Sequence, residues 1–171
     1  RQRQMCIRDR KDSDRTLEGA IFGLFAKEDI KSETTGKVLI EADEIIELKS
    51  TDEEGKITFV ADLPIGATYY VKELYAPDGF VTNDEVKEFT FEYAGEDQPT
   101  VTYDFTFDNQ PTVVEFTKSS LTTGKELPGC KLKVVDADGN IVDEWTSGKE
   151  AHVIRELTVG KEYTLVETKP A

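Results

Sequence analysis

The sequence predicts an all-β protein of two tandem β-sandwich units, the second cut short, and three observations lead there. Short segments rich in β-branched and aromatic residues recur along the whole chain. Turn signals built on Gly, Asp and Pro fall between them. No apolar pattern of helical period persists for three turns. In the first half the strand candidates are Thr58-Phe59-Val60, Thr68 to Val71, Glu88 to Tyr93 and Val101 to Phe107. In the second half they are Val113 to Thr117, Lys131 to Val135, Ile141 to Thr146, Val153-Ile154 and Tyr163 to Val166. Glu54-Gly55, Pro77-Asp78-Gly79, Asp138-Gly139, Ser147-Gly148 and Gly160-Lys161 punctuate them. Glu41 to Leu48 fits a short helix or a strand.

An imperfect internal repeat sets the domain organisation. Leu17-Glu18-Gly19-Ala20 recurs as Leu127-Pro128-Gly129-Cys130, an offset of 110. Leu63-Pro64-Ile65-Gly66 recurs as Leu157-Thr158-Val159-Gly160, and Tyr69 to Glu73 recurs as Tyr163 to Glu167, both at an offset of 94. The first copy therefore holds about 16 extra residues between Ala26 and Thr51. The expected units are 11–112 and 113–171, the second incomplete at its C-terminal end.

Composition narrows the function. The chain has 171 residues, 37% of them hydrophobic, enough for packed cores. Its 35 acidic and 21 basic residues give a net charge of -14, which repels nucleic acid and anionic membranes. No apolar run reaches the roughly 18 residues of a membrane span, and no secretory leader is visible, so the expectation is a cytosolic protein or a piece of a larger one. Two Cys, one Met and one His leave little for disulfide, metal or acid–base chemistry. No cofactor and no metal are expected.

Residues 1–10 stand apart. RQRQMCIRDR carries four Arg and one Asp, a net charge of +3 in a chain of net -14. Met5 to Arg10 also resembles a translated sequencing adapter. The expectation is that 1–10 is not native and is to be left out of fold reasoning, which leaves Cys130 as the only native thiol.

Strand alternation places polar residues at the ends of apolar stripes. Val114, Phe116 and Lys118 share a face, as do Tyr163, Leu165 and Glu167. In the first unit Tyr69, Val71 and Glu73 share one, and so do Phe105, Phe107 and Asn109. Either each polar group reaches solvent at its strand end, or it is buried and must pair or neutralise, because an unpaired buried charge costs several kcal/mol.

Two motifs carry a family resemblance. Leu17-x-Gly19-Ala20-x-Phe22-x-Leu24, followed by Glu73-Leu74-Tyr75-Ala76-Pro77-Asp78-Gly79-Phe80, resembles the collagen-adhesin B-type repeat, also called the SpaA-type or prealbumin-like pilin domain. Lys118 to Gly129 with Tyr163-x-Leu165-x-Glu167-x-x-Pro170 resembles the same family. The resemblance implies immunoglobulin-like sandwiches in which a first-strand Lys is joined to a last-strand Asn or Asp beside a Glu, releasing ammonia or water. It assigns Glu73 and Glu167 as proton shuttles, Asn109 as first-unit acceptor and Lys118 as second-unit nucleophile, with the second acceptor beyond Ala171. Such a bond forms once per chain, so enzymatic turnover is not expected. The first-unit Lys departs from the pattern. Counting back from Gly19 without a gap reaches Arg8. A turn two residues shorter than in the second unit reaches Arg10, the preferred position. Arg is no usable nucleophile, and Lys11 is expected on the opposite face.

Other features read as structural. Asp136 to Asn140 lacks calcium-loop spacing and fits a hairpin turn. His152 is isolated, Trp145 is expected on the sheet, and Cys130 takes the place of Ala20 as a small buried group. Glu126-Leu127-Pro128-Gly129 follows the repeat motif and not a sorting signal. The resemblance implies stalk repeats of a secreted, cell-wall-anchored adhesin or pilin of a Gram-positive bacterium, with neighbouring repeats or pilin subunits as partners. The alternatives are a module that binds a host protein through the 26–51 insertion or an acidic face, and an accessory domain of an extracellular enzyme.

Overall fold

The computed structural model describes residues 2–11, 16–92 and 100–170, with the side chains of 16–92 and 103–170. All of its regular elements are strands, and the described residues contain no helix long and apolar enough to cross a membrane. Two compact units result, Arg1–Pro77 with Val81–Gln110, and Pro111–Ala171 with the short stretch Asp78–Phe80.

In the first unit β1 (Gln2–Lys11) lies between β6 (Lys56–Phe59) and β9 (Thr100–Asn109), antiparallel to the former and parallel to the latter. A second sheet runs β5 (Ile45–Ser50), β2 (Ile21–Ala26), β7 (Thr68–Tyr75), β8 (Val86–Thr90). The insertion adds a small hairpin, β3 (Ile30–Lys31) with β4 (Val38–Ile40). The ambiguous Glu41 to Leu48 resolves into a turn followed by β5, where β2 offers a ladder partner.

The core lies between the two sheets. Phe22, Leu24, Tyr69 and Val71 from one sheet and Phe107 from the other are fully buried, with Ile57 and Phe59 close behind. The Phe22 and Phe107 rings meet across the gap at 4.8 Å between centroids. Alternation along β7 sends Tyr69, Val71 and Glu73 into this layer, as the period-two pattern requires.

The second unit uses the same plan with β10 (Val113–Phe116) paired to β13 (His152–Arg155), and β11 (Lys131–Asp136) between β12 (Ile141–Thr146) and β14 (Tyr163–Lys169). The repeat extends to backbone detail. Phe22 opposes Glu73 and Leu24 opposes Val71, just as Leu132 opposes Glu167 and Val134 opposes Leu165. Each pairing is preceded by a register shift at the equivalent place, Ile21/Phe22 and Lys131/Leu132. Such a bulge re-aims the side chains beside it. Gly19 and Gly129 both have positive φ, 87° and 99°, a conformation that glycine adopts without strain. The next amides, of Ala20 and Cys130, donate to Thr51 Oγ1 and Ser147 Oγ at 2.8 and 2.9 Å.

Burial separates the units. Leu132, Val134, Cys130 and Ile154 are buried in the second, but Leu165 is 49% exposed where its counterpart Val71 is sealed. Trp145 stacks on His152 at 4.3 Å, and the His152 ring nitrogen pairs with Asp143 at 2.8 Å, so both rings take part in the packing. Asp136 closes the hairpin as expected, accepting the amides of Asp138 and Asn140.

Gln2–Lys11 takes the middle position of a sheet, paired along its length with β9 and over Met5 to Arg8 with β6.

Candidate functional site

The bulge before Phe22 and the alternation of β7 aim Glu73 into the first unit, where it is 4% exposed. Asn109, the last residue of β9, is 1% exposed and follows Phe107 on the same stripe. The two meet. Asn109 Nδ2 donates to Glu73 Oε1 at 2.8 Å and to Oε2 at 2.9 Å, and contacts the Val81 carbonyl at 3.3 Å. The Asn83 amide also donates to Glu73 Oε2. Burial holds the Glu73 carboxyl above its ordinary range, while the Asn83 and Asn109 donors pull it back toward the charged form.

Asn109 Oδ1 is buried and has no hydrogen-bond partner among the described residues. A buried acceptor left unpaired is costly, so it marks a place where a donor belongs. The strand register shows which residue stands next to it. Lys11 opposes Asn109, and Arg10 opposes the exposed Asp108. Arg8 stands opposite Thr106 in the same register.

The second unit brings together Lys118 and Glu167, Nζ to Oε2 at 2.9 Å, with side chains 33% and 35% exposed. The hydrogen bond and charge of Glu167 raise the Lys118 pKa, so the amine is held as an ammonium ion. A desolvated neutral amine is not what this arrangement produces, because the pair is open to water. Of the polar residues in the sequence pattern, Glu73 and Asn109 are buried partners, while Lys118 and Glu167 form a part-exposed ion pair.

Comparison with known proteins follows this geometry. The model of the family described as "SpaA: Prealbumin-like fold domain" matches residues 7–108 and again 112–171. The chain belongs to this SpaA prealbumin-like family. No curated protein matches it. Among solved structures, the Bacillus anthracis TIE protein is 24% identical over 98% of this chain, with a TM-score of 0.56. This chain spans 28% of that protein's length. A variant of the shaft pilin of Lactobacillus rhamnosus GG is 16% identical over 100% of this chain and 90% of its own, with a TM-score of 0.49. BcpA, the major pilin subunit of Bacillus cereus, is 13% identical over 99% of this chain and 89% of its own, with a TM-score of 0.43. The likeness to the TIE protein shows the shared fold.

Within this SpaA-family chain, sequence reasoning missed Val81 and Asn83. Both reach the site through backbone groups, which no side-chain pattern reveals. The one available signal was turn chemistry at Asn83-Asp84 after the Gly79-Phe80 motif.

Proposed function

We propose that the chain is a structural segment of a secreted, cell-wall-anchored adhesin or pilin shaft, and that its first unit is locked by an amide bond between Lys11 Nζ and Asn109 Cγ. The observation that carries the reading is the buried Glu73–Asn109 pair, in which Asn109 Oδ1 has no partner among the described residues and Asn109 stands opposite Lys11 in the strand register. In this reaction the Lys11 amine, freed of its extra proton, attacks Asn109 Cγ. Glu73 takes the proton released on attack and returns one to Nδ2 as the Cγ–Nδ2 bond breaks, so ammonia leaves. One C–N bond forms, one breaks, and no oxidant or cofactor enters. Fixed neighbours supply the rate. Burial raises the proton affinity of the Glu73 carboxylate, which favours its taking the proton released on attack.

The bond ties the first strand to the last. Since β1 and β9 are parallel neighbours, a pull on them would load the covalent link before the sandwich. In the second unit Lys118 and Glu167 take the nucleophile and shuttle roles once a last strand carrying Asn or Asp covers them. Partners are neighbouring repeats or pilin subunits. Residues 1–10 remain, in this proposal, adapter-derived. Reading the locus from an adapter-trimmed library checks that, and native coding of these residues refutes it. A second reading, host-protein binding by the insertion, draws on exposed Leu39, Ile45 and Leu48.

Intact-mass measurement tests the main reading. The folded chain should be lighter than its sequence by one ammonia, and the Lys11→Ala chain should not. A folded parent at full mass overturns the first-unit bond.

A further inference from the structure

We propose that Val81–Asn83 is a positioning clamp for the acceptor amide of the first unit, with Asn83 the positioning residue that holds the acid and the acceptor strand in one frame. The inference rests on the linking reaction proposed above and assigns residues that the sequence motifs left without a role.

Three consecutive residues of the acceptor strand and its exit are each tied to this segment. Asp108 offers its carbonyl to Asn83 Nδ2 at 3.0 Å. Asn109 Nδ2 contacts the Val81 carbonyl at 3.3 Å. Gln110 accepts the Val81 amide at 2.8 Å. The same segment reaches the acid, since the Asn83 amide donates to Glu73 Oε2. Asn83 fixes its own turn as well, its Oδ1 accepting the Glu85 amide at 2.8 Å. One side chain and three backbone groups therefore connect β7, β9 and the loop that follows β7.

The arrangement selects one orientation of the amide. Nδ2 faces three acceptor oxygens, two on Glu73 and one on Val81. A flipped amide would set Oδ1 against a carboxyl group and a carbonyl, losing those bonds and gaining repulsion. The nitrogen that must leave is thus held against the acid that protonates it, while Oδ1 stays on the side without a described partner. Small losses of such alignment slow an intramolecular reaction steeply.

The clamp also acts on the acid. The Asn83 amide favours the charged carboxylate, opposing the effect of burial. Loosening it removes part of that opposition and leaves only the Asn109 donor, so the Glu73 midpoint should rise.

Two measurements on Asn83→Ala test the clamp. In the Lys11→Ala chain, which cannot link, carboxyl carbon NMR should show the Glu73 midpoint moved upward and the Asn109 side-chain amide exchanging faster. In the chain with Lys11 present, time-resolved intact mass after cell-free synthesis should show ammonia loss slowed on the order of tenfold. Asp84→Ala, one residue along the loop, should match the parent in both. Asn83→Ser, which keeps an oxygen for the Glu85 amide, serves if alanine prevents folding and should slow linking likewise. An unmoved Glu73 midpoint together with an unchanged linking rate in a folded Asn83 variant overturns the clamp. A folded parent that never loses ammonia overturns the linking reading instead, and the clamp then stands or falls on the Glu73 midpoint and Asn109 exchange.

Discussion

Replacing Glu73 in the unlinked Lys11→Ala background separates its structural cost from its chemistry. Glu73→Ala takes the carboxylate acceptor from the buried Asn109 Nδ2, which keeps only its Val81 contact, and from the part-buried Asn83 amide. An unsatisfied buried group costs roughly 1–3 kcal/mol, so about that much first-unit stability should be lost. Glu73→Gln keeps the shape and removes the titration. Because burial raises the Glu73 pKa above its ordinary 4.5, the folded state binds its proton more tightly than the unfolded chain does. That contribution is fully present below the unfolded pKa and is lost as pH rises through the folded one, at about 1.4 kcal/mol for each tenfold difference in proton affinity. Urea unfolding followed by near-ultraviolet circular dichroism, repeated from pH 4 upward, reads the slope. The Glu73 chain should lose stability relative to Glu73→Gln as pH rises above the ordinary carboxyl range. Parallel pH profiles for the two chains would refute the reasoning, since they would mean that Glu73 titrates alike in both states.

Other outcomes follow from burial. Leu24→Ala, at a fully buried site between the sheets, should cost about 2–5 kcal/mol in unfolding of the first unit, and a smaller loss would mean that the two sheets are not tightly packed there. Glu167→Gln should bring the Lys118 pKa down toward its ordinary 10.5 by NMR titration while leaving the thermal midpoint unmoved, because the pair is part-exposed. Cys130 is buried, so in a Cys6→Ser chain the thiol should resist an aqueous thiol reagent until the second unit unfolds, and fast labelling of the native chain would contradict that burial.

The strands and the stripes Tyr69-x-Val71-x-Glu73 and Phe105-x-Phe107-x-Asn109 were legible because period-two alternation is strong where apolar residues surround the polar one, but alternation left open whether Glu73 and Asn109 were buried, and only the family resemblance brought the two together. The repeat was legible for the same reason, and the register confirms its pairings down to the bulges. The first strand was not legible. Arg8, Asp9, Arg10 and Lys11 are all charged, so no apolar alternation marks a face, and the turn length needed to count back from Gly19 is free to vary. The register of β1 on β9 is set by the strand pairing. Nor could the sequence show that Lys118 and Glu167 are part-exposed. Their stripe carries the same pattern as that of the first unit, and exposure depends on what covers the strand.

Peptide mapping of the folded 171-residue chain tests the central claim most directly. After proteolysis, mass spectrometry should find the peptide containing Lys11 joined to the peptide containing Asn109, with one ammonia lost. The junction should persist in Arg10→Ala and vanish in Lys11→Ala and Glu73→Ala. It closes a loop of about 100 residues, a constraint worth on the order of 4–5 kcal/mol by analogy with a disulfide. Separate, unmodified Lys11 and Asn109 peptides from a folded parent would contradict the account, as would a junction that forms equally well without Glu73.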